Sequence, residues 1–124
     1  MGEANVAGRV GLAAAVREYV ADGPERVAER LDEIGEQTRA ALAGVRGWEV
    51  LAGQVGPITA VRPTAGQDVS QVRERLLAEH RILTTASLPW RAPLEPVDGW
   101  LRVSPHVDLT EGDLVSLAMA LSDA

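Results

Sequence analysis

Apolar residues in this chain recur at two spacings, and the order of those spacings restricts the fold more than any other feature. In residues 5–21, Leu12, Val16, Tyr19 and Val20 share one face of a 3.6-residue repeat. Asp22-Gly23-Pro24 breaks that helix and starts another, since proline is pre-set for a first helical position. Val27, Leu31, Ile34, Thr38 and Leu42 form its stripe, with Glu25 near the start and Arg39 and Arg46 near the end, as the helix dipole favours. Gly44 and Gly47 mark its exit. The spacing then becomes that of strands. Residues 48–51 and 57–62 are short β-prone runs joined by Ala52-Gly53-Gln54-Val55-Gly56, which predicts an antiparallel pair. Asp68 with Gln71 has capping-box spacing before a third helix, whose stripe is Val69, Val72 and Leu76. Residues 81–85 and 100–103 are expected as strands, separated by a loop over 87–99 that holds Pro89, Pro93 and Pro96. Thr110, with Asp113 three residues on, caps a last helix lined by Leu114, Leu117, Ala118 and Leu121.

The predicted order is α-α-β-β-α-β-β-α. Without strict βαβ alternation this is an α+β fold, a small antiparallel or mixed sheet with helices on one face. Its 124 residues suffice for a single domain over 1–124. With 46% hydrophobic and 24% charged residues the chain is globular rather than disordered. No apolar run reaches the roughly 18 residues of a membrane span and no signal peptide opens the chain, so the cytoplasm is the expected compartment. A net charge of −6, without a basic stripe, disfavours nucleic acid as a partner.

Two absences limit the chemistry. There is no cysteine, which removes disulfides, thiolate metal sites and a thiol nucleophile. There is no lysine either, because all 12 basic residues are arginines. A Schiff base needs an amine that can lose its proton, and guanidinium does not. His80 and His106 lack the spacing of a metal pair, and His80 suits the end of a helix. The acidic residues Glu25, Glu29, Asp32, Glu33 and Glu36 read as a solvated helix face.

Arg102 is the candidate with the most chemistry. Alternation along residues 100–103 puts Leu101 and Val103 on one face and Trp100 and Arg102 on the other. The strand breaks at Ser104-Pro105-His106, and an arginine at such an end can offer its planar fork to a carboxylate. A structural ion pair is the competing role.

The run Leu101-Arg102-Val103-Ser104-Pro105-His106-Val107-Asp108-Leu109-Thr110-Glu111-Gly112-Asp113-Leu114 resembles a C-terminal segment of the class V aminotransferases, which are pyridoxal-phosphate enzymes. That segment has arginine, a branched residue, serine, a histidine two further on, then Asn-Thr and an aspartate; Leu109 stands here for the asparagine. The opening, Gly2-Glu3-Ala4-Asn5 through Gly11-Leu12, resembles the lead into the family's small domain, with Glu3 where the family has a threonine that reaches cofactor phosphate. The resemblance covers essentially the whole chain. It implies a small domain whose large, cofactor-binding domain lies outside this sequence, pyridoxal 5'-phosphate held elsewhere, and a homodimeric complete enzyme. It also implies that Arg102 binds a substrate α-carboxylate, that His106 orders the turn, and that Trp90 and Arg91 belong to a substrate-contacting loop. Cysteine desulfurases of the family carry a nucleophilic cysteine in that loop, absent here. The phrases around Asn5–Gly11, Arg91-Ala92-Pro93-Leu94-Glu95 and Val103–Asp108 most resemble hercynylcysteine sulfoxide lyases of ergothioneine biosynthesis. Such an enzyme eliminates sulfur from Cβ to leave ergothioneine, pyruvate and ammonia. Another class V aminotransferase or epimerase, or a stand-alone binding or assembly module, are the alternatives.

Overall fold

A computed structural model describes residues 5–91 and 99–124. The chain forms two compact units, Met1–Arg30 and Leu31–Ala124.

In the first unit, helix α1 (Val6–Asp22) starts where the Asn5 Oδ1 accepts the Gly8 N–H at 2.8 Å. It ends at Gly23, whose φ of 86° is open to glycine at little cost. The expected apolar stripe does not make a buried face: none of the helix is buried, and Leu12 and Val20 remain 66% and 62% exposed. Val6, Val10 and the alanines at 13–15 spread apolar surface around the helix, so Arg17 and Glu18 make only a weak polar contrast to the stripe.

In the second unit the later turns of helix α2 (Pro24–Leu42) bury Ile34, Thr38 and Leu42, the stripe read from the sequence. Strands β1 (Trp48–Val50), β2 (Thr59–Pro63), β3 (Thr85–Ser87) and β4 (Trp100–Val103) form one sheet in the order β1-β2-β4-β3. All three pairings are antiparallel, which narrows the expected antiparallel-or-mixed sheet. Helices α3 (Val69–His80) and α4 (Glu111–Ser122) supply the rest of the core. Val61, Leu101 and Val103 of the sheet cluster with Leu42, Val69, Val72, Leu76, Leu117 and Leu121. Trp48 is buried in that cluster and its indole N–H donates to the Leu121 carbonyl at 3.1 Å, tying the edge strand to the end of α4.

Two local expectations change. Residues 81–84 are not a strand; the third strand lies at Thr85–Ser87. Arg81 takes a left-handed conformation, φ 59°, and Ile82 donates to the Leu76 carbonyl at 3.0 Å, so α3 needs these residues as its C-terminal closure. The loop expected over 87–99 is likewise shorter, because Ser87 belongs to β3 and Pro89–Arg91 forms a 3-10 turn. At the start of α3, Asp68 accepts from the Ser70 and Gln71 N–H groups, but the Gln71 amide returns to the Asp68 carboxylate rather than to its backbone. At α4 the reciprocal box between Thr110 and Asp113 is complete.

Candidate functional site

The sheet has two unlike faces. One carries Leu101, fully buried, and Val103 into the core. The other carries Arg102, exposed, and Trp100, half-buried. Register determines what stands beside Arg102. Ala60 of β2 and Thr85 of β3 are its direct partners across the two neighbouring strands. Both are short, so the guanidinium is left uncovered on either side. No hydrogen bond or ion pair holds the Arg102 side chain among the described residues. The structural ion pair that competed with a ligand role is therefore not formed there.

The same face shows what a paired arginine looks like. Arg62 sits opposite Glu49 in the β1–β2 register, and its Nε and Nη2 both approach the Glu49 Oε2 at 2.8 Å. About half of each side chain is exposed, so this pair orders the face more than it stabilises the fold. Behind Ala60 the Gln54 amide acts as a stand-in peptide, its Nε2 donating to the Leu51 and Ala60 carbonyls and its Oε1 accepting the Ala60 N–H. Sequence reasoning did not single out Gln54 or the Glu49–Arg62 pair. Cross-strand register, which no spacing rule supplies, is what brings them together.

Trp90 lies in the 3-10 turn that follows β3 and is 69% exposed. Arg91 closes that turn, and its side chain lies outside the described part of the structure. Glu3 and the prolines at 93 and 96 also lie outside the described residues. Trp90 is not level with Arg102: Ser87 pairs with Trp100, so the turn lies past the Trp100 end of β4. His106 does join the turn after β4, its Nδ1 3.1 Å from the Asp108 carboxylate, while Leu109 donates to the His106 carbonyl at 3.1 Å. The histidine and the aspartate are both well exposed. Thr110 donates to Asp113 through both its hydroxyl and its N–H, and these bonds hold the Asp113 carboxyl below its usual range.

The donor set does not fit a covalently held pyridoxal phosphate, because the chain contains no lysine. No group of three possible metal ligands occurs among the described residues. No described helix is long and apolar enough to cross a membrane. Among the described residues the arrangement offers an uncovered cationic fork on the outward sheet face, chemistry suited to holding a carboxylate for a reaction carried out by other groups.

The fold matches that of part of pyridoxal-phosphate enzymes of the class V aminotransferase type. The chain superposes over 98% of its length on 31% of the cysteine desulfurase CsdA from Escherichia coli, with a TM-score of 0.82 and 28% identity. It also superposes over 91% of its length on 28% of a C-DES mutant whose glycine is covalently linked to the PLP cofactor, with a TM-score of 0.75; at 18% identity that likeness is one of fold alone. In sequence the chain is similar to a probable hercynylcysteine sulfoxide lyase of Mycobacterium tuberculosis (strain CDC 1551 / Oshkosh), 47% identical over 122 residues. That match covers 97% of this chain and 31% of the relative, so the chain spans about a third of the length of the curated relative it matches. No family model matches it. The resemblance read from the segment around Arg102 is thus borne out in both sequence and fold.

Proposed function

We propose that this chain is the substrate-carboxylate wall of a pyridoxal-phosphate-dependent C–S lyase acting on hercynylcysteine sulfoxide. The observation that carries the reading is Arg102, exposed and without a partner among the described residues, between Ala60 and Thr85 on the outward sheet face. The 47% identity to a probable lyase of that substrate supports it. In this reading Arg102 grips the α-carboxylate of the cysteinyl half with two parallel N–H groups and fixes which side of Cα faces the cofactor. The cofactor supplies an electron sink, and it is held with its lysine by a larger domain of the same cytoplasmic, homodimeric enzyme. Cleavage of the Cβ–S bond there leaves the electron pair on sulfur and releases the sulfenic acid of ergothioneine, while water converts the three-carbon remnant to pyruvate and ammonia. A thiol reductant then supplies the two electrons that bring the sulfenic acid to ergothioneine, and this chain by itself is inactive. A transaminating or epimerising relative would use Arg102 in the same way, so the products decide between the readings.

The test is pyruvate release from hercynylcysteine sulfoxide by the longer polypeptide that contains this segment. Arg102→Met is expected to lower kcat/KM by about 10- to 100-fold, the worth of a charge-assisted bidentate contact. An unchanged kcat/KM would remove Arg102 from the site. Amino-group transfer without pyruvate would replace the lyase by an aminotransferase.

A further inference from the structure

The hercynyl half of the proposed substrate ends in a trimethylated ammonium, a cation that offers no N–H to a hydrogen-bond acceptor. Aromatic faces recognise such groups, tryptophan most strongly. The chain has only four aromatic residues, three tryptophans and one tyrosine. Trp48 is spent in the core, where its N–H is bonded to Leu121. Trp100 is on the outward face, two residues from Arg102 on the same strand. At about 3.3 Å per residue the two side chains leave the sheet roughly 6 to 7 Å apart, within the span of a cysteinyl carboxylate and a group carried on its sulfur arm.

Two further features favour Trp100 over other positions on that face. Ser87, its partner on β3, is short, so no long side chain stands across the ladder from the indole. Gly99 brings the start of β4 close to the end of β3: a Cβ there would lie 3.2 Å from the Ser87 carbonyl oxygen and 3.9 Å from the Pro89 ring. The turn carrying Trp90, 69% exposed, therefore begins beside Trp100. The neighbour that opposes a cation is Arg62, whose register places it beside Trp100, and its charge is met by Glu49 at 2.8 Å.

We infer that Trp100 is a specificity residue of this site, its indole face reading a quaternary ammonium while Arg102 holds the carboxylate. The inference rests on the lyase reading for the identity of the substrate. Arg102 then sets affinity for the amino-acid end, common to all substrates, and Trp100 sets the preference for methylation at the other.

The test compares hercynylcysteine sulfoxide with its counterpart lacking the three methyl groups, using the complete holoenzyme. Calorimetric titration of hercynine against histidine gives a second readout independent of turnover. Wild type is expected to favour the trimethylated form by about 3- to 30-fold in KM and in binding. Trp100→Leu should abolish that preference, and Trp100→Phe should keep most of it, which separates loss of the ring from loss of the fold. Arg102→Met should weaken both substrates alike and leave the preference intact. A preference that survives in Trp100→Leu, or is absent from wild type, overturns the inference. If neither substrate yields pyruvate the lyase reading fails instead, and the hercynine titration still decides the role of Trp100.

Discussion

Replacing Gly35 by alanine should destabilise the second unit, although the same change in most helices stabilises. Gly35 is buried within α2, and alanine in a helix interior is worth about 1 kcal/mol over glycine. Here the added Cβ would stand 2.3 Å from the Gly56 carbonyl oxygen and 3.0 Å from both the Gly56 carbonyl carbon and the Pro57 Cα. These are backbone atoms, so no rotamer change relieves the contact. The loop must withdraw by about 1 Å, and the bond from the Arg39 Nη1 to the same Gly56 oxygen, 2.8 Å long, is strained or lost with it. Overpacking costs roughly 1 to 3 kcal/mol and a charged hydrogen bond about 1.5 to 3. Set against the propensity gain, the net loss is about 1.5 to 5 kcal/mol, or a fall in Tm of at least roughly 6 °C for a unit of this size. Gly112→Ala is the control: its nearest contact is Thr110 Oγ1 at 3.7 Å, so it should be neutral or stabilising. Thermal unfolding of the two variants by circular dichroism makes the comparison. A Gly35→Ala protein as stable as wild type would refute the close approach of α2 to the 56–57 backbone.

The remaining predictions concern stability. Thr110→Ala should cost about 1 kcal/mol by removing the cap of α4, read from urea midpoints. Because Thr110 holds the Asp113 carboxyl below its ordinary value, that cap is complete above the unfolded carboxylate range and is lost as pH falls through the lowered folded value. Wild type should therefore lose stability on acidification more steeply than Thr110→Ala, and parallel acid limbs would contradict the assignment. Thr59 is fully buried and its hydroxyl has no partner among the described residues, so Thr59→Val should stabilise by about 1 kcal/mol in the same assay. Trp48→Phe should cost about 1 to 3 kcal/mol by removing the indole bond to the Leu121 carbonyl, which keeps its Ala124 N–H at 3.2 Å, and by leaving the core underfilled; no loss at all would show that the indole is not the tie it is taken for.

Much of the fold was legible where one short-range rule acted alone. Alternation placed Leu101 and Val103 inward and Arg102 outward, and residues 100–103 form β4 as expected. Thr110 and Asp113 marked the start of α4 because a capping box is local in sequence. The strand expected at 81–85 failed for a physical reason. Ile82 and Leu83 have strand-forming side chains, but Arg81 adopts a left-handed backbone that no residue type there announces, and ladder pairing with β4 begins only at Thr85. The stripe on α1 was legible as a pattern but not as burial, since burial depends on what lies against a helix. Within the candidate site, Arg102 could be found by alternation and motif together. The Glu49–Arg62 pair and the Ala60 and Thr85 flanks required the register of three strands.

The central claim is that this chain supplies the carboxylate grip of a lyase whose cofactor sits elsewhere. The most direct measurement is pyruvate release from hercynylcysteine sulfoxide by the complete enzyme, wild type against Arg102→Lys and Arg102→Met. The account expects stoichiometric pyruvate from wild type and a loss in kcat/KM of about 10- to 100-fold for Arg102→Met, with Arg102→Lys recovering only part because an ammonium cannot reproduce the bidentate fork. Full activity in both variants, or no pyruvate from wild type, would contradict it.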